Sequence, residues 1–182
     1  MKFIETGIPG LIIIEPNVFE DQRGYFLESF NQKEFESHIG MINFVQDNES
    51  KSTFGVLRGL HYQKPPFTQA KLVRCILGKI LDVAVDLRKD SPTFGRHLTI
   101  GLSSDDKRQL FIPKGFAHGF AVLSDEAVFS YKVDNFYSSI HDSGIAWNDP
   151  QFGIDWMLPL DKIILSEKDK RLKFLPETDN PF

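Results

Sequence analysis

The chain has 182 residues, about the length of one domain, and 41% of them are hydrophobic, enough to bury a core without disulfides or a structural metal. Its formal net charge is −4, from 21 Lys and Arg against 25 Asp and Glu, with no basic tract, which argues against broad phosphate neutralisation on a nucleic acid. The single cysteine, Cys75, excludes an intrachain disulfide. The opening Met1-Lys2-Phe3-Ile4-Glu5 meets an acid, then Pro9-Gly10, before a signal-type apolar region develops. No apolar run approaches the ~18 residues needed to cross a membrane. A soluble cytoplasmic protein with no membrane or nucleic-acid partner is the expectation.

Short β-like segments, punctuated by Gly and Pro, dominate the chain order. Leu11 to Ile14 is a compact apolar strand, and Asp21-Gln22-Arg23-Gly24 is a turn leading into a second at Tyr25 to Phe30. Gln32 to His38 is the one early helix, capped by Asn31 with Glu34 at the capping-box position. Gln69 to Leu77 and Lys79 to Arg88 are strands around Gly78; in the second, Leu81, Val83, Val85 and Leu87 face one way and Asp82 and Asp86 the other. His97 to Leu102, Gln109 to Ile112, Ala117 to Leu123 and Ala127 to Val133 continue the pattern, with Pro113 and Gly115 marking a tight bend. A short helix is expected near Ser166 to Arg171. The 17 phenylalanines suit a β-rich core, or rings that line a pocket or stack on a base.

Many strands with few short helices predict an all-β jelly-roll barrel. The intervals are too short for the crossover helices of a parallel α/β sheet. No linker or repeat divides the chain, so a single domain over 1–182 is expected. Its barrel core would run from about 11 to 150, ahead of an irregular, partly helical segment from about 151 to 182.

Strand alternation puts three polar groups among apolar neighbours. His118 shares a face with Phe116, Phe120 and Val122, Tyr131 with Phe129 and Val133, and Lys71 with Val73, Cys75 and Leu77. Each has a plain alternative: a hydrogen-bonded core histidine, a packing tyrosine, a lysine whose head reaches water at a strand end. Together they point to a polar-lined barrel interior, the usual binding site of such folds. Arg58 and His61 would lie on opposite faces of a regular strand, and Gly59 could supply a bulge that unites them. Pro113-Lys114-Gly115-Phe116-Ala117-His118 has the form of a metal-binding cupin's second motif. The first motif's paired histidines are missing, because Tyr62 and Gln63 follow His61. No metal is expected.

Seven motifs occur in one order: Asp21-x-Arg23-Gly24-x-Phe26-x-Glu28, Gln46-Asp47-Asn48, Arg58-Gly59-Leu60-His61, Lys71 before a strand, Pro113-x-Gly115-Phe116-Ala117-His118-Gly119-Phe120, Tyr131-Lys132 and Ile145-x-Trp147-Asn148-Asp149-Pro150. Taken together the set resembles the dTDP-4-dehydrorhamnose 3,5-epimerase family of cupin-type barrels, from Gly7 to about Leu172. The resemblance implies epimerisation beside a sugar ketone, at C3 and C5 of a dTDP-linked 4-keto sugar, with no cofactor. It makes His61 the base, Asp169 the carboxylate that orients it, Lys71 the group at the C4 oxygen with His118 nearby, and Tyr131 the opposing acid. Arg23 and Arg58 match the pyrophosphate contacts. Glu28, Gln46, Asp47 and Asn48 match nucleoside and sugar contacts, with Phe26 packing and Asp142 and Lys168 also on substrate. Some members carry Glu where Asp142 stands. Family members are typically homodimers that exchange N-terminal strands. A single-site epimerase or ketoisomerase, a non-catalytic sugar-nucleotide binder and a metal cupin are the alternative readings.

Overall fold

The computed structural model describes residues 1–182. Strands β1 (Lys2–Glu5), β2 (Ile12–Glu15), β3 (Val18–Asp21) and β4 (Gly24–Leu27) precede helix α1 (Gln32–His38). β5 (Gln46–Thr53), β6 (Leu57–Gln63), β7 (Lys71–Leu77), β8 (Lys79–Asp86) and β9 (His97–Ser103) follow. β10 (Gln109–Ile112), β11 (Phe116–Val122), β12 (Glu126–Val133) and β13 (Asp142–Gly144) complete the set, and beyond them the chain forms only 3-10 turns. A six-stranded antiparallel sheet runs β1-β2-β10-β7-β12-β5, and a five-stranded antiparallel one runs β13-β6-β11-β8-β9. The jelly-roll expected from the strand-rich pattern is therefore the observed architecture.

Three apolar layers hold the sheets. Val73, Cys75 and Phe129 from one sheet and Ile80, Phe116 and Phe120 from the other fill the interior. The outer face of the six-stranded sheet carries α1, whose Phe35 packs with Ile14, Leu72 and Phe111. The outer face of the five-stranded sheet is covered by the C-terminal segment, with Phe152, Trp156 and Leu175 over Leu57, Leu81, Val83 and Val85. β8 is thus buried on both faces. Asp82 and Asp86, which alternate with its apolar residues, are fully buried rather than turned to water. Burial opposes ionisation of Asp86, but donors from Arg88, Ser91 and Thr93 outweigh it and lower its pKa to about 2.

Several boundaries differ from the sequence expectation. The second strand stops at Leu27 rather than Phe30, because its only partner, β3, ends its pairing at Val18↔Leu27. Asn31 caps α1 as expected, accepting from the amides of Lys33 and Glu34. The reciprocal half of the capping box is absent: the Glu34 carboxylate instead takes the Met1 ammonium at 2.9 Å. Where a short helix was expected near Ser166 to Arg171, only the 3-10 turn Asp169–Arg171 forms.

Candidate active site

The site starts from an irregularity in β6. His61 stands opposite His118 of β11, and Arg58 opposite Phe120, so Gly59 and Leu60 together face the single Gly119. This bulge shifts the alternation by one residue and puts Arg58 and His61 on the same inner face, as anticipated for Gly59. Two glycines permit it. A Cβ on Gly59, whose φ is +125°, would lie 2.5 Å from the Gly119 Cα, and one on Gly119 would lie 2.6 Å from the Arg58 carbonyl oxygen.

His61 is then held from outside its own sheet. Its Nε2 lies 2.5 Å from Asp169 Oδ1, and because an ionised carboxylate only accepts, Nε2 carries the proton and Nδ1 is left as the basic atom. Asp169 is buried, which opposes its ionisation, but hydrogen bonds from His61 and Ser166 prevail and lower its pKa. The turn bearing Asp169 can approach because Gly144 of β13 lies opposite His61. A side chain there would strike the Leu60 carbonyl oxygen at 2.4 Å and the Leu172 side chain at 3.0 Å.

His118 is buried, and its Nε2 donates to both oxygens of the buried Asp82, at 2.9 and 3.1 Å. Burial lowers the His118 pKa against the pull of Asp82, and the charges of Lys71 and His61 lower it further. From the opposite sheet, Lys71 begins β7, and burial lowers its pKa to about 8 despite the nearby Asp82 and Asp142 carboxylates. Tyr131 lies opposite Asn48 on β5 and Val73 on β7. Burial raises the pKa of its phenol, Arg58 works against that and Asp142 with it. The Phe129 ring links the two sides, 6.0 Å from the His118 ring and 5.6 Å from that of Tyr131. Arg58 spans the sheets, donating from Nε and NH2 to the Ser52 hydroxyl of β5 at 3.3 and 3.1 Å.

Around this centre the other expected residues divide. Asp142 is engaged by Lys168 and by the Tyr137 hydroxyl at 3.0 Å, so both of its partners sit with it at the edge of the site. Gln46 and Asn48 share the inner face of β5 and hydrogen-bond each other at 2.8 Å. Asp47, between them, is on the opposite face, where Lys132 binds its carboxylate at 2.8 and 2.9 Å. The two-residue period of a strand thus puts the Gln46 and Asn48 side chains on one face and that of Asp47 on the other. Arg23 and Phe26 lie on the exposed β3–β4 hairpin, outside both sheets, with Glu28 just beyond it. Arg23 pairs there with Asp21 at 2.5 Å, and Phe26 is 67% exposed.

Sequence reading missed Asp82, Ser166, Ser52 and Tyr137 as neighbours of the candidate groups. Only Asp82 carried a signal, as an acid inside an apolar strand. No group of three or more His, Cys, Asp or Glu side chains is arranged to hold a metal ion. Two carboxylate-anchored histidines, a lysine of lowered pKa and a protonated phenol instead make a site suited to moving protons.

Comparison with known proteins agrees with that chemistry. A sequence profile of the dTDP-4-dehydrorhamnose 3,5-epimerase family matches residues 5–177. The dTDP-4-dehydrorhamnose 3,5-epimerase of Shigella flexneri is 58% identical over 170 residues, covering 93% of each chain. The crystal structure of the Elizabethkingia anophelis enzyme of the same name is 51% identical, with a TM-score of 0.94 over 99% of this chain and 98% of that one. A Legionella pneumophila dTDP-6-deoxy-D-glucose-3,5-epimerase, solved in complex with dTDP-4-keto-L-rhamnose, is 49% identical, with a TM-score of 0.94 over 98% of this chain and 94% of that one. The chain belongs to the dTDP-4-dehydrorhamnose 3,5-epimerase family.

Proposed function

We propose that this protein inverts C3 and C5 of dTDP-4-dehydro-6-deoxy-D-glucose, giving dTDP-4-dehydro-L-rhamnose for rhamnose biosynthesis, with no cofactor. The observation that carries the reading is the His61–Asp169 pair facing Lys71 and Tyr131 across the barrel interior. The C4 ketone acidifies the hydrogens on its two neighbours. Nδ1 of His61 takes one of them, the C–H electron pair moves toward the ketone oxygen, and an enolate forms. The Lys71 ammonium stabilises the developing oxyanion, with His118 beside it. The Tyr131 phenol returns a proton to the opposite face of the same carbon, and solvent exchange resets both groups.

Arg58 suits one face of the pyrophosphate, and Gln46 and Asn48 the nucleoside. Arg23, Phe26 and Glu28 stand apart from the centre on or next to an exposed hairpin. The reading assigns them to the site of a second copy, in a cytoplasmic homodimer with exchanged arms.

The test is incubation in heavy water with the 4-keto sugar nucleotide after exhaustive chelation, followed by proton NMR. Deuterium is expected at both C3 and C5. Label at one carbon alone would make the protein a single-site epimerase, and activity lost on chelation and restored by metal would overturn the cofactor-free mechanism.

The lowered pKa of Lys71 sets a pH limit. The amine is cationic below about 8 and neutral above it, so oxyanion stabilisation is lost as pH rises through that value. The raised pKa of Tyr131 keeps the phenol protonated over the same range. The kcat/KM profile is therefore expected to fall above about pH 8. In Lys71→Arg, whose guanidinium stays charged, that limb should move out of the accessible range. A limb that stays in place in this variant would assign it to another group.

A further inference from the structure

The Ser166 hydroxyl makes two contacts with one residue. It accepts the Asp169 amide N–H at 3.1 Å and donates to Asp169 Oδ2 at 2.7 Å. The second contact leaves Oδ1 as the oxygen that faces His61, at 2.5 Å. A carboxylate on a free side chain could rotate about χ2 and offer either oxygen, or neither. Here one oxygen is held by serine and the other by histidine. The backbone repeats the restraint, since the Lys170 amide donates to the Ser166 carbonyl at 3.1 Å. The neighbouring Lys168 engages Asp142 of β13, the strand that pairs with β6 beside His61. The turn therefore meets β6 at His61 and the neighbouring β13 at Asp142, and Ser166 fixes the geometry of the contact that touches the imidazole.

We infer that Ser166 is a positioning residue, the outer member of a Ser166–Asp169–His61 relay that sets the orientation and basicity of the catalytic imidazole. This rests on the reading of His61 as the base. The charged and titratable groups facing the pair are His118 from β11, Lys168 and Asp142 at the edge of the site, and Lys71 from the opposite sheet. None of them touches Asp169 Oδ2, the atom Ser166 holds.

The sign of the effect follows from the charge. A hydroxyl donor stabilises Asp169 most when the carboxylate bears its full charge, opposite a neutral imidazole. It stabilises it less when an imidazolium already neutralises it. Removing the donor therefore makes the pair, which titrates as a unit, easier to protonate. In Ser166→Ala the midpoint of the pair is expected to rise by about half to one pH unit, the equivalent of one ordinary hydrogen bond. The acid limb of the kcat/KM profile should move up with it. At its optimum kcat should fall about three- to tenfold while KM stays within about twofold, because Ser166 supports the base rather than the bound nucleotide. Ser166→Thr keeps the hydroxyl and should restore both the midpoint and kcat.

The midpoint is read first, by NMR titration of the histidine ring signals in the free protein, which needs no substrate and stands apart from the assigned reaction. An unchanged midpoint in Ser166→Ala would overturn the relay, as would a kcat/KM that falls in parallel at every pH. Failure of Ser166→Thr to restore the midpoint would overturn it too. A shifted midpoint in a protein that turns over no 4-keto sugar would keep the relay and sink the assigned activity instead.

Discussion

His61→Asn is expected to abolish deuterium uptake at C3 and at C5 together. No enolate forms at either carbon without a base, so a loss confined to one carbon would require a second base that this assignment does not contain. General base catalysis contributes ~10²–10⁴ in rate, and the exchange rates should fall by at least that factor. Asparagine removes the ring and both of its nitrogens, and its shorter amide ends at the δ position, short of the Asp169 oxygen that Nε2 reached. The Asp169 carboxylate, only 3% exposed, keeps the Ser166 hydroxyl as a donor. The fold and the nucleotide site should therefore survive, and thymidine diphosphate should bind the variant as it binds the wild type. Binding lost along with exchange would mean that the substitution had damaged the site. Exchange persisting at either carbon, with binding intact, would remove His61 from the role of base.

What the sequence made legible followed the chemistry of alternation. His118, Tyr131 and Lys71 were readable because each interrupts an apolar face, where a polar group without a partner is costly to bury. The union of Arg58 with His61 needed only the bulge that Gly59 permits. β5 was not legible. Its Gln46-Asp47-Asn48-Glu49-Ser50-Lys51-Ser52-Thr53 has no apolar residue and gives no hydrophobic period, because one of its faces meets solvent and the other lines a polar site. The buried state of Asp82 and Asp86 was equally hidden. Leu81, Val83 and Val85 meet the C-terminal cover, so the two acids share the barrel-facing side of β8 with Ile80 and Ala84, and no local pattern says which side of such a strand is turned inward. The same holds for Ser166, whose place beside the base depends on the His61–Asp169 contact across 108 positions. Arg23, Phe26 and Glu28 were named from motif order alone, which cannot say how far from the His61 centre a side chain lies.

Tyr131→Phe should fail in a different way from His61→Asn, and the difference tests the two-faced mechanism. The ring is retained, so its packing beside Phe129, 5.6 Å between centroids, should persist. Only the hydroxyl is lost, and with it a proton that burial keeps on the phenol well past neutral pH. Base and oxyanion partner remain, so the enolate still forms. His61 can then return a proton to the face it came from, and solvent hydrogen is exchanged without inversion. Inversion at C5 should slow by about the ~10²–10⁴ worth of a positioned general acid, while exchange continues. The deciding quantity is the ratio of exchange to inversion at C5, followed by NMR in heavy water on the same sample. Equal losses of exchange and inversion would make Tyr131 necessary for forming the enolate. No loss of either would reduce it to a packing residue. A ratio that rises by at least about a hundredfold is the result expected from an acid on one face of the sugar and a base on the other.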